Sequence, residues 1–248
     1  MLERVLEPEV MDSPADALDY DAMDHSQVNR AFADAFLAAL APELLKQSAS
    51  GAEREAMTDG SAADIDEEEV EWIEVLDVGT GTALVPIELC RREPRLRIVA
   101  VDLAASMLYL AGGNVEIAEL SERIMLDRID AKELPYDKGR FAAVISNSIM
   151  HHIPRPHAAL AEVCRVTAPG GLIFIRDLLR PTDDETVHRL VELYAAGANE
   201  HQRQLFDDSL RAALSLDEIR ALVAELGYDG STVQASSDRH WTWVTRKH

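Results

Sequence analysis

One short stretch narrows the possible folds more than any other: Val75-Leu-Asp-Val-Gly-Thr-Gly-Thr-Ala-Leu-Val-Pro-Ile-Glu-Leu-Cys90. An apolar run from Trp72 to Val78 carries the acid Asp77 near its end and closes on Gly79 and Gly81, and an apolar stretch of helical character begins at Ala83. That pattern reads as a strand, a tight turn and a helix N-terminus. Glycine lacks Cβ and tolerates φ > 0, so backbone N–H groups in such a turn can approach a ligand closely. Which ligand is a question for the rest of the chain.

The 248 residues suffice for one sizeable core with appendages. Twenty-four Lys and Arg stand against 45 Asp and Glu, a formal charge of −21. Such a surface repels a phosphate backbone, and no basic run tracks one, so a nucleic-acid partner is not expected. No apolar run reaches the roughly 20 residues of a membrane span, and the N-terminus shows no apolar leader, so membrane insertion is not expected and the location expected is cytoplasmic. Cys90 and Cys164 lie in apolar, helix-like stretches without C-x-x-C spacing, which predicts two free thiols and no thiol-based metal site.

Residues 1–46 read as an N-terminal helical extension. From Ser26, a candidate N-cap, Val28, Phe32, Phe36, Leu37 and Leu40 recur at helical spacing as far as Pro42. Residues 47–69 are small, polar and acidic and are expected to form a flexible loop. The main domain then spans 70–248. Continuous apolar runs at Trp72–Val78, Arg97–Val101, Arg123–Ile129, Phe141–Ser146 and Leu172–Ile175 alternate with helices near Leu84–Arg92, Ser106–Ser121 and His157–Val166. This α/β alternation predicts a doubly wound, mostly parallel sheet covered on both faces. Pro169-Gly170-Gly171 reads as a turn before the fifth strand. Helices at Asp184–Ala196, Phe206–Ala213 and Leu216–Leu226 form an insertion over 178–226, and Ser231–Ala235 with Trp241–Thr245 make a closing edge hairpin, for seven strands in all.

A dinucleotide fingerprint requires G-x-G-x-x-G/A, but the third position here is Leu84, and Asp77 before the turn would repel a pyrophosphate. An acid there suits a cationic ligand. Leu76-Asp77-Val78-Gly79-Thr80-Gly81-Thr82 resembles the first motif of class I S-adenosylmethionine-dependent methyltransferases, D/E-x-G-x-G-x-G, departing from it at Ala83. Four more segments resemble that family in order: Ile98–Asp102, Ser106-Met107, Asp130-Ala131 with Leu134-Pro135-Tyr136, and Phe141–Ile153 followed by Arg165-Val166 and Pro169–Gly171. The resemblance covers about Val70 to Asp177 and is nearest to the "type 11", UbiE-like group.

It implies a Rossmann-like methyltransferase fold, S-adenosyl-L-methionine as cofactor and a small-molecule methyl acceptor. The cofactor residues it implies are Asp77, Gly79, Thr80, Gly81, Asp102, Leu103, Met107, Asp130, Ala131 and Asn147. Asp102 would bind the ribose hydroxyls, or else merely cap the following helix. Asn147 would face the cofactor's amino-acid part, or else serve only its loop.

The candidates for catalysis are His151, His152 and Asp177. Adjacent residues point apart, so one histidine at most faces the site, and both could equally be structural; Asp177 could simply pair with an arginine. Tyr20 and His25 could belong to a lid, and His240 could reach the site only if its strand borders it. In-line methyl transfer requires no metal, and no metal site is expected. A cofactor-binding protein without transfer activity is the alternative reading. The acceptor and the oligomeric state have no motif.

Overall fold

The computed structural model describes residues 2–10, 12–55 and 71–248. Seven strands, β1 (Ile73–Val78), β2 (Leu96–Asp102), β3 (Ile124–Arg128), β4 (Phe141–Asn147), β5 (Thr167–Leu178), β6 (Val233–Ala235) and β7 (His240–Arg246), form one sheet in the order β3-β2-β1-β4-β5-β7-β6. Neighbours from β3 to β5 are parallel, while β7 runs antiparallel to both β5 and β6. The helices of the described residues are α1 (Pro14–Asp21), α2 (Ser26–Glu55), α3 (Leu84–Arg92), α4 (Ala105–Ile117), α5 (His157–Val166), α6 (Asp184–Tyr194), α7 (Glu200–Ala212) and α8 (Leu216–Glu225).

The parallel strands are apolar on both faces because both faces are covered. Successive side chains of a strand point to opposite sides, and the core divides accordingly. Val75, Ile98 and Phe174 meet Phe32, Phe36 and Leu40 of α2 on one side, with Leu89 of α3 and Ala111 of α4. Leu76, Val99 and Ile173 meet Leu160 and Val163 of α5 and Ile219 and Val223 of α8 on the other. Phe32 packs edge-on to Phe174 with centroids 5.1 Å apart. Each such aromatic, fully buried, contributes about 1.5–3 kcal/mol.

Three expectations change. Helix α2 continues through Pro42 to Glu55, so 47–55 of the segment expected to be a loop is helical; its remainder from residue 56 lies outside the described residues. Ser26 is the first helical residue rather than the cap, its N–H bonding Asp24 Oδ1 at 2.9 Å. Pro169-Gly170-Gly171 is not a turn before β5 but an irregularity within it, where pairing jumps from Phe141↔Thr167 to Ala143↔Leu172. Gly171 is required there, since a Cβ would fall 2.8 Å from the Ala168 carbonyl oxygen.

The N-terminal segment folds back over the C-terminal ends of the strands. Arg4 ties it down, its guanidinium donating to the carbonyls of Ala212 (2.7 Å), His151 (3.0 Å), Ile153 (3.1 Å) and Pro154 (3.2 Å). Leu2 packs into the small core between α6 and α7. Helix α1 is started by Ser13, whose hydroxyl accepts from Asp16 N, with proline at the first helical position. Its Ala17 packs on Ala104 and Met107 at the head of α4.

Candidate cofactor site

The sheet order reverses beside β1: β2 and β3 extend one way, β4 and β5 the other. Ligands of open α/β sheets bind at such a switch point, outside the C-terminal strand ends. A cleft of about 760 Å³ lies there, with an adjoining one of about 310 Å³. Their lining includes Asp77, Gly79, Thr80, Gly81, Asp102, Leu103, Met107, Asp130, Ala131 and Asn147, so every residue expected to hold the cofactor is brought to one place.

The glycine turn has its shape for local reasons. Gly79 N and Thr80 N both donate to the Val101 carbonyl, at 2.8 and 2.9 Å, fastening the turn to the end of β2. Gly79 has φ +76°, and a Cβ there would fall 2.4 Å from Ile149 Cδ1. Ala83, where the motif has its last glycine, takes φ 62° at the cap of α3, a left-handed conformation that costs an alanine about 1–2 kcal/mol.

The Asp102 carboxylate ties the glycine turn to the start of α4 and also lines the cleft. Oδ2 accepts from Gly81 N at 2.8 Å and Oδ1 from Ala104 N at 2.9 Å. Asn114 of α4 donates to Thr82 O at 3.1 Å and to Asp21 Oδ1 at 2.9 Å, linking the turn to α1. Asp130 accepts from Lys132 N at 2.9 Å and pairs with the Lys132 ammonium, which also bonds Glu9 of the N-terminal segment.

Asp77 is 2% exposed, and burial pushes its carboxyl up to about 7, with the nearby Asp102 charge adding to the rise. Thr82 Oγ1 and Asn147 Oδ1 are buried without a hydrogen-bond partner within the protein, while the Thr80 hydroxyl lies against the Asp77 carboxyl and moderates its rise. Orphaned polar atoms cost about 1–3 kcal/mol each, and these belong to residues around the smaller cleft beside Asp77. A ligand carrying an ammonium and a carboxylate matches that set: acids and a carbonyl oxygen for the cation, a hydroxyl for the anion. Tyr20 covers the turn, with its ring 3.7 Å from where a Gly81 Cβ would lie, and His25 fixes it by bonding the Tyr20 carbonyl at 2.8 Å. Burial beside Asp102 and Asp77 raises the Tyr20 phenol to about 12, so it stays neutral.

The second group of polar residues lies behind the β4 loop. Asp177 at the end of β5 faces His151, not an arginine, with Oδ1 2.5 Å from His151 Nδ1. Met150 N and Leu178 N also donate to this buried carboxylate, each at 2.5 Å. Burial alone would lower the His151 pKa, but the Asp177 charge holds it above its ordinary value. His152 is pushed down to about 3 by burial and by His151. The two rings do not diverge as adjacent residues on a strand would. They sit in a turn with centroids 4.2 Å apart, and both face Glu7. His152 lines the cleft; His151 does not.

Residues 75–171 match the family model of a methyltransferase domain. Over 110 residues the chain is 37% identical to the ubiquinone/menaquinone biosynthesis C-methyltransferase UbiE of a Geobacter species, covering 44% of this chain and 46% of that protein. Over 161 residues it is 34% identical to the malonyl-[acyl-carrier protein] O-methyltransferase of Geobacter sulfurreducens, covering 65% and 57%. The chain carries a class I S-adenosylmethionine-dependent methyltransferase domain. It spans about half the length of the curated relatives it matches. Among solved structures, a Methanococcus maripaludis protein assigned to the same methyltransferases aligns over 98% of this chain and 97% of its own, with TM-score 0.57 and 14% identity. An Aquifex aeolicus relative gives 0.51 and 15%, over 73% and 85%. At such identity these two speak for the fold alone.

Around the methyltransferase domain's cleft the structure adds residues that sequence reasoning missed: Glu9 and Val10 of the N-terminal segment, Ile129 after β3, and Ile149 and Ile153 after β4. Glu9, Val10 and Ile129 belong to no motif; Ile149 and Ile153 lie in the Phe141–Ile153 segment but were given no role there, although Ile149 is betrayed by the close approach that demands Gly79. His240 is excluded from the site: it pairs in register with Leu178, and its ring bonds Ser237 at 2.9 Å.

Proposed function

We propose that this protein transfers the methyl group of S-adenosylmethionine to a small-molecule acceptor. The observation that carries the reading is the orphaned polar pair of Thr82 and Asn147 beside buried Asp77, at the switch point of a methyltransferase domain. When bound, S-adenosylmethionine supplies a methyl on a sulfonium, which an acceptor lone pair takes in line while the sulfur keeps the bonding pair.

The chain's own residues position and enclose. Asp77 and Asn147 offer oxygens to the amino-acid end, Asp102 offers its remaining lone pairs to ribose hydroxyls, and Asp130 faces the base with Met107 and Ile129 around it. Tyr20 and α1 keep water out. Holding the reacting atoms in line is worth about 7–11 kcal/mol, enough to supply most of the catalysis. An acceptor that must lose a proton would draw on His151, His152 and Asp177; in the conformation described, His151 Nε2 faces Glu7, so that use requires the N-terminal segment to move.

The acceptors printed in the relatives' names, demethylmenaquinone and malonyl-[acyl-carrier protein], differ in kind, so they select none for this chain. Selection falls to the N-terminal segment and the 178–226 helices. No described helix is long and apolar enough to cross a membrane. Both cysteines are unpaired, which supports a reducing, cytoplasmic setting.

Isothermal titration with S-adenosylmethionine and with its demethylated product tests the reading. Binding of both is expected, weakened at least tenfold in Asp102→Ala. A folded protein that binds neither would overturn it.

A further inference from the structure

We propose that Glu7, His151 and His152 form a binding site for one divalent first-row transition ion of the zinc class. The three side chains come from positions some 145 residues apart, and one ligand atom from each lies within 4.8 Å of the others. Glu7 Oε1 is 3.2 Å from His152 Nδ1 and 3.5 Å from His151 Nε2. A tetrahedral ion with bonds of about 2.0–2.1 Å sets its ligand atoms about 3.3 Å apart, so these spacings are those of a ligand set around a shared centre.

The far end of each ligand is held, as second-shell partners hold ligands in metal sites. His151 gives its Nδ1 to Asp177 at 2.5 Å, which leaves Nε2 directed at Glu7. The His152 ring is held against that of His151, with centroids 4.2 Å apart, and its Nδ1 is buried without a hydrogen-bond partner. Ser209 Oγ donates to the other Glu7 oxygen, Oε2, at 3.3 Å. What remains are the three inward atoms. Glu7 Oε1 and His152 Nδ1 are buried yet make no hydrogen bond, even with each other at 3.2 Å.

The side chains are 9% (Glu7), 3% (His151) and 16% (His152) exposed, so bulk water does not compensate them. An imidazole lone pair against a carboxylate oxygen is repulsive unless a cation lies between. Two imidazoles and one carboxylate select zinc, iron(II), cobalt(II) or nickel(II) over magnesium or calcium, whose preferred donors are all oxygen.

Two consequences follow. Glu7 belongs to the N-terminal segment and the histidines to the β4 loop, so an ion would clamp the segment over the strand ends. His152 also lines the cleft, which places the ion at its wall, where an acceptor oxygen could take an open coordination position and lose its proton more readily. That second role rests on the methyl-transfer reading; the ion site does not.

The test uses the full chain, stripped with chelator and titrated with Zn2+ and with Co2+. One ion per chain is expected, with the visible absorption of a four- or five-coordinate Co2+ site, and affinity reduced at least tenfold in both Glu7→Gln and His152→Gln. Circular dichroism and cofactor titration of the same variants show whether the domain remains folded. Glu7→Gln lies on the peripheral segment and keeps the test open should a histidine variant misfold. Binding that is absent, or that both folded variants retain in full, overturns the proposal. Loss of ion binding in Glu7→Gln with cofactor affinity intact supports it independently of the methyl-transfer reading.

Discussion

Replacing Asp77 with asparagine tests the electrostatics at the heart of the cleft. The carboxyl is buried at the end of β1, and its pKa rises from an ordinary 3.8 to about 7. Below about pH 3.8 the folded and unfolded chains both hold this proton, and the group has no effect on stability. Between about 3.8 and 7 the unfolded chain ionises while the folded one keeps its proton, so stability falls as pH rises. Above about 7 both are ionised and the penalty is constant. At about 1.4 kcal/mol per pH unit, the gap sets a ceiling of about 4 kcal/mol.

Asparagine has nearly the same shape and cannot ionise. Asp77→Asn should therefore stabilise the cofactor-free protein, by about 1 kcal/mol at pH 5 and about 2–4 kcal/mol at pH 8. Urea unfolding of both proteins at the two pH values measures this directly. The same substitution removes the negative charge offered to the cationic cofactor, and titration at pH 8 should show binding at least tenfold weaker. A stability difference that does not grow with pH refutes the electrostatic argument. Growth with pH but unchanged cofactor affinity refutes the role given to Asp77 in binding.

Three further outcomes are expected. Gly79→Ala, which sets a Cβ against Ile149 at φ +76°, should cost about 2–3 kcal/mol by thermal or urea unfolding, and Ile149→Ala in the same chain should recover only the steric part. Asp177→Asn breaks a buried ion pair from one side and should destabilise by about 3 kcal/mol or more; a change under about 1 kcal/mol would mean that His151 is not charged against it. Arg4→Ala removes four carbonyl contacts and should expose residues 2–25 to limited proteolysis while the sheet stays protected in hydrogen exchange.

The elements that the sequence by itself determined are those whose chemistry is local. A strand ending in Asp77, a turn with glycines at 79 and 81, and an apolar run from Leu84 admit one backbone path, and β1, α3 and α5 fall where periodicity puts them. The parallel sheet follows from runs such as Phe141–Ser146, too apolar to face water on either side. Asp102 and Asn147 were legible because each closes a strand, and Asp130 because it follows β3 by two residues; a parallel sheet gathers its strand ends at one edge. Local reading failed where contacts override it: Pro169–Gly171 looks like a turn but is absorbed into β5, because β4 pairs with the strand before and after it, Phe141 with Thr167 and Ala143 with Leu172.

Only the tertiary structure decided what surrounds the cleft. Nothing near Glu7 or Glu9 in the chain announces a site, since their partners are 123 to 202 residues away. The pairing of Asp177 with His151 depends on β4 and β5 being neighbours in register, and His151 and His152 converge because a turn, not a strand, carries them. The expectation of no metal site rested on the chemistry of methyl transfer and on the lack of C-x-x-C spacing, and neither takes account of a ligand brought in by a distant segment. Periodicity encodes which face of an element is buried; which buried groups meet is a property of the packing, and there the carboxylate of Glu7 came to rest between two imidazoles.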